Sequence, residues 1–186
     1  MIPQPSTKQD PSQGPAVSWH DHTSRLEPGL IDWLSRQTSA ALAHLRNQTG
    51  DTRTGGGGEG GAEVRVAVVN DAEMTAAHTR FMGINETTDV LTFDLRDPSP
   101  QGLPSGPLDT DIMVCLDEAQ RRAESRSKPS PEETRRELLL YALHGILHCL
   151  GHDDHNDNDY DRMHSVEDQI LTAIGVGPVF TADPSS

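Results

Sequence analysis

Apolar and polar residues alternate along this chain with two periods, one typical of strands and one typical of helices. Valines at every second position over 63–69 predict a strand, and shorter apolar runs predict three more, at 16–19, 89–94 and 111–116. Apolar residues at helical spacing predict five helices, over 28–47, 72–82, 117–127, 131–150 and 160–174. In the second helix, Met74, Ala77 and Phe81 are expected to face inward. This order predicts one α/β domain with a small mixed sheet of three to four strands, about five covering helices and a central fourth helix.

The domain is predicted to cover residues 16–177. Residues 1–15, rich in Pro, Ser and Gln, predict a disordered tail, and residues 178–186 predict a loose one. The glycine-rich stretch 52–61 predicts a surface loop, because it lacks the Gly-Lys-Ser/Thr ending of a phosphate-binding loop. No apolar run is long enough to span a membrane, and none near the first residue resembles a signal peptide. A cytoplasmic protein without a membrane partner is therefore expected.

Composition restricts the partners that the surface as a whole can bind. Lysine and arginine number 15 against 29 aspartate and glutamate residues, and the formal net charge of −14 argues against a general nucleic-acid-binding surface. The charge is uneven, however, because basic residues outnumber acidic ones between positions 121 and 136. This basic strip fits contact with an RNA backbone, although a solvated helix face fits the same pattern; its candidate RNA-binding residues are Arg121, Arg122, Arg135 and Arg136.

Candidate metal ligands are concentrated near the end of the fourth predicted helix. His144 and His148 are four residues apart, so both imidazoles project from one helix face. Gly151 is predicted to end the helix, and the loop after it carries further candidate ligands. Two nitrogen ligands from a helix and a third ligand from the next loop predict an open site for one zinc ion. Of the neighbouring histidines, His152 is expected to support the site and His164 to lie on ordinary surface.

The residue that follows His144 argues against a metallopeptidase mechanism. In the His-Glu-x-x-His motif of metalloproteases, the glutamate is the general base. Here that position holds Gly145, so a peptidase mechanism loses its base. A zinc hydrolase of another small ester or amide stays an alternative.

The run at 144–151, His-Gly-x-Leu-His-x-x-Gly, resembles the YbeY family of bacterial metal-dependent endoribonucleases. Thr-Asp-Val-Leu-Thr-Phe at 88–93 is similar to the family's Thr-Asp-Val-Leu-Ser-Phe strand, and Asp-Ile-Met-Val at 111–114 is similar to its Gly-Asp-Ile strand. The Glu-Leu-rich run at 136–143 leads into the histidines as it does in the family. In all, the similar motifs cover roughly residues 62–177, in the family's order.

The resemblance implies a fold, an activity and partners. It implies a small sheet with helices around a zinc site, in a single-strand-specific endoribonuclease. It further implies late ribosomal RNA maturation, with processing of the 3′ end of 16S rRNA, and ribosome quality control. Ribosomal RNA and small-subunit ribosomal proteins are the implied partners, and the oligomeric state is left open. Asp111 matches the aspartate of the Gly-Asp-Ile strand and is expected to orient a water or a ligand histidine, with a purely structural role as the alternative.

The chain departs from the family's pattern at two positions. The family usually places a third histidine ten residues after the first; here Asp154 holds that position, and His155 follows it. The unchanged spacing favours Asp154 as the third ligand, with His155 as its rival, and an aspartate would leave less positive charge on the ion. Where many members carry a basic residue before the Thr-Asp-Val strand, this chain has Met82, and Arg80 is the candidate substitute as a catalytic residue.

A ribosome-assembly factor with a structural zinc and little nuclease activity is the main rival hypothesis. Four protein ligands and no open position would favour it.

Overall fold

Four strands and five α-helices make up the described part of the chain, which in this computed structural model is residues 15–50, 52–55, 61–99, 104–125 and 130–180. Along the chain they are β1 (Ala16–Asp21), α1 (Leu30–Thr49), a 3-10 turn (Thr52–Thr54), β2 (Glu63–Val69), α2 (Asp71–Met82), β3 (Val90–Asp94), β4 (Asp109–Cys115), α3 (Leu116–Ser125), α4 (Pro131–Cys149) and α5 (Asp157–Ala173). The predicted α/β class is confirmed. Residues 1–14, which are most of the predicted disordered tail, and residues 56–60 of the predicted glycine loop lie outside the described residues.

The strands form one mixed sheet in the order β1-β2-β4-β3. The pairs β1–β2 and β2–β4 are parallel, and β3 runs antiparallel to β4. Alternate residues of β2 and β4 are buried on one face, where Val66 pairs with Ile112, and α4 covers this face. On the opposite face, Phe93 of β3 contacts Phe81 of α2, with ring centroids 4.8 Å apart.

Helix α4 is the central element, and its sequence specifies where it begins. The Ser130 side chain accepts a hydrogen bond from the Glu133 N–H at 3.2 Å, and Pro131 occupies the first turn, where its missing N–H costs nothing. From Leu138 to Cys149 almost every residue is buried. The helix is therefore held by packing on several sides, and its two histidines occupy the part of its surface that stays open.

The C-terminal end of α4 is closed by a glycine and by two arginines. Gly151 has a φ of +93°, a left-handed conformation that favours glycine. Its N–H donates to the His148 carbonyl and the His152 N–H donates to the Leu147 carbonyl, both at 3.0 Å, so the chain turns sharply. Two guanidinium groups donate to the last carbonyls, from Arg53 to Leu150 at 3.2 Å and from Arg96 to Cys149. Positive charge at this end also complements the helix dipole.

The close approach of α4 to the sheet requires a glycine at position 145. A Cβ atom added there would lie 2.3 Å from Oγ1 of Thr92 and 3.3 Å from Cδ1 of Ile112. The first distance is far inside van der Waals contact. Thr92 is β-branched, so two of its three staggered rotamers keep a heavy atom at that spot.

Three sequence predictions need correction. Phe81 is 52% exposed and does not face the core; its ring instead packs edge-to-face with Phe93. Helix α5 begins at Asp157, three residues before the predicted start, because the Asn156 side chain accepts a hydrogen bond from the Asp159 N–H at 3.1 Å. His164 is only 16% exposed and stacks on Phe180 with centroids 3.7 Å apart, so it is not ordinary surface.

The first residues of the predicted loose tail are held in place. The Asp168 carboxylate accepts hydrogen bonds from the N–H groups of Val179, at 2.6 Å, and Phe180, at 3.1 Å. Arg136 donates to the carbonyls of Gly177 and Pro178. Residues 181–186 lie outside the described part of the chain. No described helix is long and apolar enough to cross a membrane.

The contact at Gly145 predicts that Gly145→Ala destabilises the protein. Alanine favours a helix over glycine by about 1 kcal/mol, but overpacking a tight contact costs about 1–3 kcal/mol and here requires the helix or the strand to shift. Urea unfolding should show a lower midpoint for Gly145→Ala. The double variant Gly145→Ala/Thr92→Ala, which lacks the clashing oxygen, should recover most of the loss. An unchanged midpoint in the single variant would contradict the packing described here.

Candidate metal centre

The last two turns of α4 and the loop after them bring three possible metal ligands together. Nε2 of His144 lies 3.0 Å from Nε2 of His148. The Asp154 carboxylate faces both rings, with Oδ2 3.6 Å from Nε2 of His144 and Oδ1 3.8 Å from Nε2 of His148. Zinc binds histidine nitrogen and carboxylate oxygen at about 2.0–2.2 Å. A single ion can therefore contact all three residues with small side-chain adjustments.

Hydrogen bonds on the far side of each ring determine which nitrogen is available. Nδ1 of His148 lies 3.1 Å from the His152 backbone carbonyl, which can only accept, so this nitrogen carries the proton. Nδ1 of His144 lies 2.9 Å from a carboxylate oxygen of Glu167, which likewise favours a proton on Nδ1. In the neutral rings both Nε2 lone pairs then face each other across 3.0 Å. That arrangement is repulsive unless a proton or a cation lies between them, and the donor set of two imidazoles and a carboxylate fits zinc.

Glu167 contacts the candidate ligand His144, and the sequence did not reveal this contact. It lies on α5, is fully buried, and its Oε2 has no hydrogen-bond partner among the described residues. Burial lowers the pKa of His144, but the hydrogen bond to Glu167 and the charges of Glu167 and Asp154 outweigh it, so this pKa is raised above its ordinary value. A signal was present: Glu167 is an acidic residue within the apolar stripe of α5, four residues after Met163.

His155, the rival third ligand, lies apart from the two helix histidines. Its side chain is 80% exposed, and its Nδ1 contacts an Asp153 oxygen and lies 3.5 Å from Oδ1 of Asp154. The chain turn at Gly151 directs Asp154 toward the helix and leaves the next residue on the outside. Among the described residues, the group that includes both helix histidines contains Asp154 and not His155.

A groove opens beside the two histidines and leaves room for a substrate. Its volume is about 410 Å³, and it is lined by Met82, Asp89, Val90, Leu91, Thr92, Asp94, His144, His148 and Cys149. One wall is therefore the β3 strand, and the other is the end of α4. A metal ion held by three protein groups at this position would keep an open side toward the groove.

Comparison with known proteins shows the family of this chain. The family model described as Endoribonuclease YbeY matches residues 34–175. The chain belongs to the YbeY family. It is 31% identical over 162 residues to the Endoribonuclease YbeY of Staphylococcus saprophyticus, covering 86% of this chain and 96% of that protein. It is 32% identical over 143 residues to the Endoribonuclease YbeY of Thermus thermophilus, covering 77% and 90%.

A solved structure is also similar to this YbeY-family chain. The protein TM1509 from Thermotoga maritima, known from a solution structure, aligns over 92% of this chain and 98% of its own. The identity is 21% and the TM-score is 0.47. A likeness of that extent supports no conclusion about the site.

Asp111, which the YbeY resemblance suggested as a catalytic residue, lies away from the histidines. It pairs in register with Phe93 on the sheet face opposite α4, and Nε of Arg65 donates to its carboxylate at 2.5 Å. The side chain is about half exposed. The catalytic role of Asp111 stays a prediction, and this placement does not support it. The side-chain contact described for this carboxylate is its pairing with Arg65.

The predicted basic strip is already paired with acidic side chains. Its arginines lie close to carboxylates, Arg121 to Asp71 and Glu118, Arg122 to Glu118, Arg135 to Glu132 and Arg136 to Glu133. Arg135 and Arg136 lie near the start of α4, about 12–14 Å along the helix from His144 at 1.5 Å per residue. RNA contact by these four residues therefore stays a prediction. Arg80 lies with its guanidinium 5.4 Å from the centroid of the Phe81 ring, and its catalytic role is likewise untested.

The Glu167–His144 contact predicts a specific change in metal binding. Glu167→Gln removes the charge while keeping the shape, and loss of such an outer carboxylate costs about 10–100-fold in metal affinity. Because the lost charge also lowers the pKa of His144, protons should compete with zinc at a lower pH in the variant than in the wild type. Zinc affinity, measured against a fluorescent chelator across pH, tests both effects.

Asp168→Asn is the matched control for that measurement, since Asp168 is also a buried acid of α5 but bonds the backbone near Phe180. It should leave zinc affinity and its pH dependence unchanged. Equal behaviour of the two variants would mean that Glu167 does not act through His144.

Proposed function

We propose that this chain is a zinc-dependent endoribonuclease whose metal is held by Nε2 of His144, Nε2 of His148 and the carboxylate of Asp154. The observation that carries the proposal is the convergence of these three donors beside an open groove, with both Nε2 lone pairs directed inward. Membership of the YbeY family, whose named relatives are endoribonucleases, supports RNA as the substrate.

The residues of the proposed centre would have separate roles in binding the metal and the RNA. When bound, zinc supplies Lewis-acid polarisation of a phosphate oxygen and activation of water. Glu167 and the His152 carbonyl keep the two Nδ1 protons in place, so that each imidazole offers Nε2 as a ligand. Asp154 adds a negative charge, which reduces the net charge of the centre relative to three neutral imidazoles. The groove along β3 would hold the nucleotides beside the bond that breaks.

Two alternatives fit this geometry less well. A peptidase glutamate after His144 would need side-chain room, and Thr92 and Ile112 leave no space even for a Cβ. A purely structural zinc would be enclosed by four protein ligands, whereas the described residues supply three on one side of a groove.

The biological setting is part of the same proposal. The family resemblance supports single-stranded ribosomal RNA as the substrate, cleaved during late maturation at the 3′ end of 16S rRNA and in ribosome quality control. Small-subunit ribosomal proteins are the proposed partners, and the cytoplasm is the proposed compartment. Purified precursor ribosomal particles, incubated with the protein, provide the assay for this setting.

The proposed centre predicts that His148→Ala strongly slows cleavage. Removing a ligand forfeits several kcal/mol of charge stabilisation in the transition state, a loss of at least about a hundredfold in rate. Single-turnover cleavage of a defined single-stranded RNA should fall by this amount in the variant and in wild type treated with chelator, and zinc should restore only the wild type. His155→Ala is the control and should cleave normally. Normal cleavage and full zinc occupancy in His148→Ala would refute the proposal.

A further inference from the structure

Three large apolar side chains are exposed within four positions at the end of α2. Phe81 is 52% exposed, Met82 57% and Ile84 47%, and together we call them the apolar lip. Gly83, with a φ of +73°, ends the helix between them and turns the chain. Exposed apolar groups clustered in this way are typical of binding surfaces.

The apolar lip reaches the groove that holds the proposed metal ligands through Met82. Met82 lines the groove together with His144 and His148. Phe81 does not line the groove; it packs edge-to-face with Phe93 on the other face of β3 and so holds the end of α2 beside this strand. The groove volume of about 410 Å³ is near the low end of the roughly 300–1,000 Å³ found for small-ligand sites, which suits one or two nucleotides.

The charges around the groove favour a base over a phosphate at this wall. Asp89 and Asp94 line it, and none of its described lining residues is lysine or arginine. Arg96 bonds Asp94 but is itself buried, with 2% of its side chain exposed. Phosphate groups would therefore meet no exposed cation at this wall, whereas the flat, uncharged faces of bases stack well on apolar and aromatic side chains.

We propose that the apolar lip forms a nucleobase subsite through Met82, which would hold the base of the nucleotide next to the phosphate at the metal centre. The inference rests on the proposed function, because the metal ligands define that end of the groove. Base stacking is largely indifferent to base identity, so the subsite would accept unpaired RNA of many sequences. It would also make RNA affinity less sensitive to salt than a strip of phosphate-binding arginines would.

The test substitutes Met82 and not Phe81, because Phe81 also packs against Phe93. The probes are a labelled unstructured oligoribonucleotide and the same strand with abasic residues at its central positions. Affinity for zinc-loaded protein is measured by fluorescence anisotropy, with cleavage followed on gels. Met82→Ser should weaken binding of the intact RNA by about five- to tenfold, which is about 1.0–1.4 kcal/mol and lies at the low end of what one base stack contributes. It should leave binding of the abasic strand nearly unchanged.

Two matched variants and one further readout make the result specific. Met82→Leu keeps an apolar surface and should bind like the wild type. Leu95→Ala removes a side chain that is similarly exposed but does not line the groove, and should have no effect. All three variants should keep the wild-type zinc affinity, because none of these side chains is a proposed ligand.

The possible outcomes separate the subsite from the nuclease proposal. If the wild type cleaves RNA but Met82→Ser binds intact and abasic strands alike, the subsite is wrong and the nuclease stands. If binding depends on Met82 and on the base but chelator-sensitive cleavage is absent, the subsite stands and the nuclease is wrong. A change in sedimentation of Met82→Ser, with unchanged RNA affinity, would show a contact between copies of this chain and would overturn the subsite.

Discussion

The metal centre depends on how helix α4 ends. Gly151 adopts a left-handed conformation that costs other residues about 1–2 kcal/mol. This turn lets the His152 N–H bond the last turn of the helix, while the His152 carbonyl accepts from Nδ1 of His148. One residue thus closes the helix and orients a ligand. The same turn sends the chain back so that Asp154 faces both histidines.

Contacts from distant parts of the chain then hold this end of the helix in place. Arg96, which follows β3, bonds both the Cys149 carbonyl and the Asp94 carboxylate, so it joins the helix end to the wall of the groove. Glu167 reaches His144 from α5 and places a buried carboxylate behind that ring. The contact between Gly145 and Thr92 brings α4 close to β3. The proposed site is therefore built on a packed helix, and of its three proposed ligands only Asp154 comes from a loop.

Local signals in the sequence predicted most of the elements but little of how they meet. The valine alternation over 63–69 and the Ser130–Pro131 start of α4 were predictable because each depends on residues close together in sequence. Helical spacing predicted that Phe81 faces inward, but periodicity does not show how far the surface that packs against the helix extends. The strand order β1-β2-β4-β3 has no local signal. The same limit applies to the candidate site. The four-residue spacing predicted that His144 and His148 share one helix face. The contact between His144 and Glu167 could not be predicted in this way, because it depends on how α5 packs against α4.

A zinc-bound crystal structure with anomalous scattering at the zinc edge tests the central claim most directly. The account predicts one ion in contact with Nε2 of His144 and Nε2 of His148 at about 2.0–2.1 Å and with an Asp154 oxygen at about 2.0–2.2 Å, with an open position toward the groove. An ion bound by His155 in place of Asp154, or one enclosed by four protein ligands, would contradict it.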